Sequence, residues 1–135
     1  RVRRQRQMCI RDSSYSTMHG IWYYFTADDG QVDLTQDDYL GIGTLESYLK
    51  LKNYYGEDAV RPVYIEVEDG ERLTRALNRE KEQEKPKYEE MCRSFLADQA
   101  DFSEENILKA GIWKRFQNVE LEDCVEEIVG YIKTQ

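Results

Sequence analysis

The stretch PVYIEVEDGERLTRALNREKEQE, residues 62–84, limits the possible folds more than any other part of the chain. It begins as an apolar, β-branched strand after Pro62. It then passes directly into a polar, strongly helical run that Asp69 is expected to open. A similar passage precedes it. YLGIG, residues 39–43, is short and apolar, as a buried parallel strand would be. It runs into TLESYLKLKNYYG, where Leu45, Tyr48, Leu49 and Leu51 cluster at helical spacing and Gly56 ends the run. Repeated strand-to-helix passages predict an α/β layer built on a parallel sheet.

The remaining segments fit that layer. HGIWYYFT, residues 19–26, is aromatic-rich and reads as a strand, and Asp29-Gly30 just after it is a hairpin-turn signal. Lys85-Pro86 breaks the helix that follows residue 69. KYEEMCRSFLADQADF is a further helix, with Tyr88, Met91, Cys92, Phe95 and Leu96 on one face. SEENILKAG has an N-cap serine and a terminal glycine, and LEDCVEEIVGYIK is an amphipathic helix.

Charge restricts the partners. The chain holds 19 Lys and Arg against 27 Asp and Glu, a formal net charge of −8. Five of the arginines fall in the first eleven residues, RVRRQRQMCIR. A basic arm on an acidic chain reads either as a nucleic-acid or membrane tail or as a non-native segment. Reverse translation of Arg3–Asp12 permits a coding string that resembles a transposon-type sequencing adapter. Residues 1–12 are therefore expected to be non-native and without stable structure, with the authentic domain in 13–135. Residues 1–12 hold five Arg and one Asp, so 14 basic and 26 acidic residues remain, a formal charge of −12. That balance argues against nucleic-acid and anionic-membrane binding, and no apolar run reaches the length of a membrane span. Cys9 lies in the adapter-like segment. Cys92 and Cys124 stand far apart without a CxxC pattern, which fits reduced thiols in a cytoplasmic protein and no zinc or disulfide framework.

Few residues offer chemistry on their own. GIGT, Gly41–Thr44, lies between a strand and a helix, where backbone amides can hold a phosphate. It matches neither common phosphate-loop pattern, and close strand–helix packing accounts for the glycines as well. Arg72, Arg75 and Arg79 fall on one stretch of helix, with Arg75 and Arg79 four apart on one face. Pairing with the nearby glutamates on a solvated face is the plain alternative. Arg93 sits beside Cys92 on an otherwise apolar stripe. His19 is the single histidine, and no Ser/His/Asp, Cys/His or metal-ligand cluster is visible.

These features, in this order, resemble the C-terminal two-thirds of a guanylate kinase, and more closely a guanylate-kinase-like branch of Gram-positive, clostridial-type bacteria. The resemblance rests on YSTMHGIWYYFTADDGQVDL, YLGIGTLESY, VYIEVEDGERLTRALNREKEQEKPKYEEMCRSFLADQADFSEE and FQNVELEDCVEEI. It implies a P-loop kinase-type parallel sheet flanked by helices, with the P-loop portion lying upstream of this chain. It also implies a cytoplasmic enzyme of purine nucleotide metabolism that transfers the γ-phosphoryl of ATP, carried with Mg²⁺, to GMP or a related nucleoside monophosphate. Tyr15-Ser16-Thr17 matches the family's Y-G-[ST]; this implies that Tyr15 contacts the GMP phosphate and Thr17 holds guanine. Arg75 and Arg79 match the paired arginines entering a mobile lid, which spans about 72–95, and Arg93 the arginine returning from it. The three together would embrace the ATP phosphates and the transferring phosphoryl group. Asn118 matches the asparagine near the adenine side.

The pattern also departs from the family. GIGT stands where the family has D-I-D-x-x-G, so Gly41 and Gly43 replace carboxylates, with Thr44 or Glu46 the nearest stand-ins. Val119 stands where the family often has Asp. These departures favour a rival reading, a non-catalytic guanylate-kinase-like binding module. A third reading is an acidic interaction protein whose arginines only make surface ion pairs. On the leading reading this chain is a fragment, inactive as a kinase by itself.

Overall fold

The structure, a computed structural model, describes residues 30 and 32–134, together with the backbone of the strands Met8–Thr17 and Gly20–Asp28. The chain divides into two compact units, residues 1–61 and 62–135. It is a mixed α/β protein whose parallel sheet has two strands.

The first unit holds an antiparallel pair, β1 (Met8–Thr17) and β2 (Gly20–Asp28), and the helix α1 (Leu45–Tyr55), which packs against β1. Tyr15 lies opposite Trp22 and Thr17 opposite Gly20, and the register skips Asp12. Two expectations are corrected here. Met8–Asp12 were expected to lack structure, yet they form the first half of β1, because each ladder bond to β2 satisfies backbone groups whatever the side chains are. The expected turn at Asp29-Gly30 does not join two strands. β2 pairs with the strand before it, Gly30 takes φ +84°, and no strand follows within residues 32–44. Asp29 itself and His19 lie outside the described residues.

YLGIG is also corrected. It forms no strand, and Leu40 and Ile42 are 89% and 105% exposed. An apolar pair is buried as a strand only when a neighbouring strand takes its amides, and none does so here among the described residues. The helix that follows agrees with its sequence. Thr44 caps α1, its Oγ1 accepting the Ser47 N–H at 3.2 Å, and Gly56 ends it at φ +98°.

The second unit runs β3 (Tyr64–Glu66), α2 (Asp69–Lys81), α3 (Tyr88–Asp101), α4 (Glu104–Lys109), β4 (Arg115–Gln117) and α5 (Leu121–Lys133). β3 and β4 are parallel, with Ile65 opposite Phe116, and three helices form the crossover between them. The Asn118 N–H extends the ladder to the Glu66 carbonyl at 2.9 Å. Phe116 is fully buried and meets Tyr131 of α5 edge-on at 5.4 Å. Ile107, Ala110, Ile112 and Cys124 complete this core. Burying a side chain of Phe116's size contributes about 1.5–3 kcal/mol. Gly111 sits at φ +73° just past α4, a left-handed position that lets Ile112 turn back into the core.

Three details differ from the sequence reading. Glu68, not Asp69, caps α2; its Oε2 accepts the Glu71 N–H at 2.9 Å, and the backbone amides of Gly70 and Glu71 hold the Glu68 carboxyl below its usual range. α2 ends at Lys81, before Lys85-Pro86. On α3 the inward face is Met91, Ser94 and Phe95, whereas Tyr88, Cys92 and Leu96 are exposed. α5 carries two adjacent apolar stripes. Cys124, Ile128 and Tyr131 turn inward, while Leu121, Val125, Val129 and Ile132 are exposed. Among the described residues no helix is long and apolar enough to cross a membrane.

Candidate functional site

α2 presents Arg72, Arg75, Ala76 and Arg79 at spacings of three and four residues, so all four lie on one face. α3 faces them with Met91, Ser94, Phe95 and Asp98, which repeat the same spacing. Ala76 is small, and between the two helices lies a cleft of about 420 Å³ lined by these residues. The turn that joins the helices brings Lys87 to the same cleft, 15 positions along the chain from Arg72.

Arg72 anchors the inner end. Its guanidinium carbon lies 4.2 Å from the centre of the Phe95 ring. Its Nη2 donates to Gln99 Oε1 and, at 3.4 Å, to Asp69 Oδ1. Gln99 Nε2 donates in turn to Asp69 Oδ2 at 2.7 Å, so three polar side chains close a ring between the helices. The Arg72 Nε is buried without a hydrogen-bond partner among the described residues.

Arg75 is partly committed. Its Nε donates to Glu71 at 2.7 Å and its Nη2 to the Val119 carbonyl at 3.4 Å, just beyond the carboxyl end of β4. The side chain of Arg79 has no ion pair among the described residues, and neither has that of Lys87. Three carboxylates share the cleft: Glu80, Glu90 and Asp98. Glu80 is occupied by the Lys87 backbone N–H at 2.6 Å. Burial pushes the Asp98 carboxyl up, against the pull of Arg72. Of the four cations at the cleft, Arg72 and Arg75 are paired with Asp69 and Glu71, which leaves Arg79 and Lys87 as those without an ion pair among the described residues.

Arg93 is placed differently. It does not line the cleft, and its guanidinium is held by Glu89 at 2.9 Å and Glu90 at 3.7 Å on its own helix. The structure thus brings Arg75 and Arg79 together and adds Arg72 and Lys87, while Arg93 stays outside. Arg72 was visible in the sequence as the first of three spaced arginines. Lys87 carried no periodic signal, because the turn delivers it.

The other expected positions are accounted for one by one. Thr44 belongs to the first unit, and its hydroxyl is the cap of α1. A Cβ at Gly43 would overlap the Ser47 hydroxyl in the first turn of α1, a local contact rather than the expected strand–helix packing, since no strand forms there. Tyr15 and Thr17 lie on β1, and their side chains are outside the described residues. Asn118 follows β4, its N–H on the Glu66 carbonyl.

A second cleft, of about 400 Å³, lies on the sheet side of Arg72. Tyr64 and Phe102 stack there at 6.0 Å, and burial pushes the Tyr64 phenol up. Its carboxylates are largely used by the fold. Arg115 donates to Glu104 at 2.6 Å and to Glu66 at 3.1 Å. The hydrogen bond from Arg115 holds Glu104 below its usual range, and Arg115 holds its own proton more tightly in return. Among the described residues no group of three or more His, Cys, Asp or Glu is placed to hold a metal ion. Comparison with family models, curated proteins and solved structures gives no match to the chain.

Proposed function

We propose that the α2–α3 cleft grips a phosphate chain, and that the chain is part of a guanylate-kinase-like nucleoside monophosphate kinase. The intact protein would transfer the γ-phosphoryl of ATP to GMP in the cytoplasm, yielding GDP and ADP, with Mg²⁺ arriving on ATP. The observation that carries the reading is the shared face of Arg75 and Arg79 opening on the cleft, with the Arg79 guanidinium in no ion pair among the described residues. Phosphoryl transfer needs positioning and cations around the equatorial oxygens more than covalent help from the protein. Arginine suits it through a permanent charge and a fork of donors. A helical hairpin that carries such cations on its inner face can close over the phosphates and exclude water. β3 and β4 would be two neighbouring strands of the P-loop kinase-type sheet. Tyr15 and Thr17 would hold GMP, with Thr44 nearby, and Asn118 would face the adenine side.

A specific pair of observations favours the second reading, a guanylate-kinase-like module that binds without catalysing. The Thr44 hydroxyl is engaged in a helix cap, and the charge of Arg93 is offset by Glu89 and Glu90. The deciding measurement is GMP-dependent ADP release by the intact protein, with Arg75→Ala and Arg79→Ala beside it. Turnover that falls at least ten-fold in each variant supports the enzyme. Phosphate binding without turnover supports the module. Wild-type turnover in both variants rules out the clamp.

A further inference from the structure

We infer that Lys87 joins Arg75 and Arg79 as a phosphate-gripping cation of the α2–α3 cleft, in the role that the family resemblance gives to Arg93. The inference rests on the phosphate-binding reading of that cleft. Lys87 lines the cleft with Arg75 and Arg79, and its ammonium has no ion pair among the described residues. Arg93 does not line the cleft, and two carboxylates on its own helix hold it, at i−4 and i−3. A cation already paired twice has less net attraction left for a ligand than a free one.

The local geometry favours Lys87 further. It stands at the N-terminal end of α3, a helix of 14 residues with no side-chain cap hydrogen bond. The partial positive charge of that end is shared with Glu89 and Glu90 in the first turn, which are themselves engaged by Arg93. Glu80 is the carboxylate that could neutralise it, yet Glu80 Oε1 is turned to the Lys87 backbone N–H at 2.6 Å. One oxygen of Glu80 is thus taken up by the lysine's own amide rather than by its ammonium. Lysine is a compact charge on a flexible stem, which lets it follow a phosphate chain that the arginine forks fix from the α2 side.

The test uses the full 135-residue chain and inorganic tripolyphosphate, with binding followed by calorimetry at low ionic strength. Lys87→Ala, Lys87→Arg and Arg93→Ala are compared with the wild type, and circular dichroism confirms that each is folded. The expected result is binding by the wild type, a weakening of about three- to five-fold in Lys87→Ala, and little change in Lys87→Arg and Arg93→Ala. Wild-type binding that Lys87→Ala leaves unchanged, or that Arg93→Ala weakens as much, overturns the role of Lys87 and leaves the cleft reading standing. No binding by the wild type overturns both.

Discussion

Glu80, near the end of α2, accepts the backbone N–H of Lys87, the N-cap residue of α3, at 2.6 Å. One side chain thus satisfies the amide at the entrance of the next helix and pins the two ends of the connecting segment together. Replacing it by alanine removes a charged acceptor, and the expected loss is about 1 kcal/mol of stability. Glu80→Gln keeps an acceptor and should lose less. Hydrogen exchange at the Lys87 amide is the direct readout: its protection should fall in Glu80→Ala and largely persist in Glu80→Gln. Equal protection in all three proteins would show that the bond does not form in solution.

Arg72 ties the same two helices at the other end, over the Phe95 ring and onto Gln99 and Asp69. Arg72→Ala loses the stacking and both polar contacts, and is expected to destabilise the chain by about 1–2 kcal/mol. Arg72→Lys keeps the charge but has neither the flat face nor the fork, so it should recover less than half of that loss. Urea denaturation of the three proteins measures this. A lysine variant as stable as the wild type would mean that charge alone matters at this position.

The glycines of GIGT should respond unequally. A Cβ on Gly43 meets the Ser47 hydroxyl, which donates to the Thr44 carbonyl at 3.2 Å, whereas a Cβ on Gly41 meets nothing within 4 Å. Gly43→Ala is therefore expected to cost about 1–3 kcal/mol, and Gly41→Ala to be close to neutral. Thr44→Ala should cost about 1 kcal/mol through loss of the α1 cap. Thermal melts of the three variants separate these effects.

Acid should act on two carboxylates in opposite senses. Glu104 is held below its ordinary value of 4.5 by the hydrogen bond from Arg115. A lowered folded value means stability present above the unfolded value and lost as pH falls through the folded one. Asp98 is raised above 3.8, first by burial, so its contribution is present below the unfolded value and lost as pH rises through the raised folded value. Glu104→Gln should therefore flatten the loss of stability between about pH 5 and pH 3. Asp98→Asn should be at least as stable as the wild type at pH 7, with any advantage gone at pH 3. Urea midpoints at pH 3, 5 and 7 check both. A steeper acid limb in Glu104→Gln would contradict the assigned pairing.

The helices were legible because each repeats its apolar or charged residues at helical spacing over at least two turns. α1, α2, α3 and α5 all do so. β3 was legible from Val63, Tyr64, Ile65 and Val67. β4 was not, because it has three residues and only Phe116 among them is apolar, so its strand state comes from pairing with β3. The reverse happened at Leu40 and Ile42, which look like a strand but lack a pairing neighbour among the described residues. Of the inward face of α3, Met91 and Phe95 were legible from their spacing, whereas Ser94 was missed, because a reading by hydrophobicity alone prefers Tyr88, Cys92 and Leu96. Of the candidate site, Arg75 and Arg79 followed from their spacing. Lys87 reaches them only through the path of the turn, which no periodicity encodes.

Every residue that lines the α2–α3 cleft lies between Val67 and Asp98. A site gathered from distant segments exists only after the whole chain has closed on itself. This one requires the closure of a single short segment, for which the loop entropy is small. Its contacts are close in sequence, the kind that form early and fast. The cationic face can therefore assemble ahead of the parallel sheet and outlast a loosening of it. Its lining comes from one uninterrupted piece of chain, to which Gln99 and the Val119 carbonyl add holds on Arg72 and Arg75.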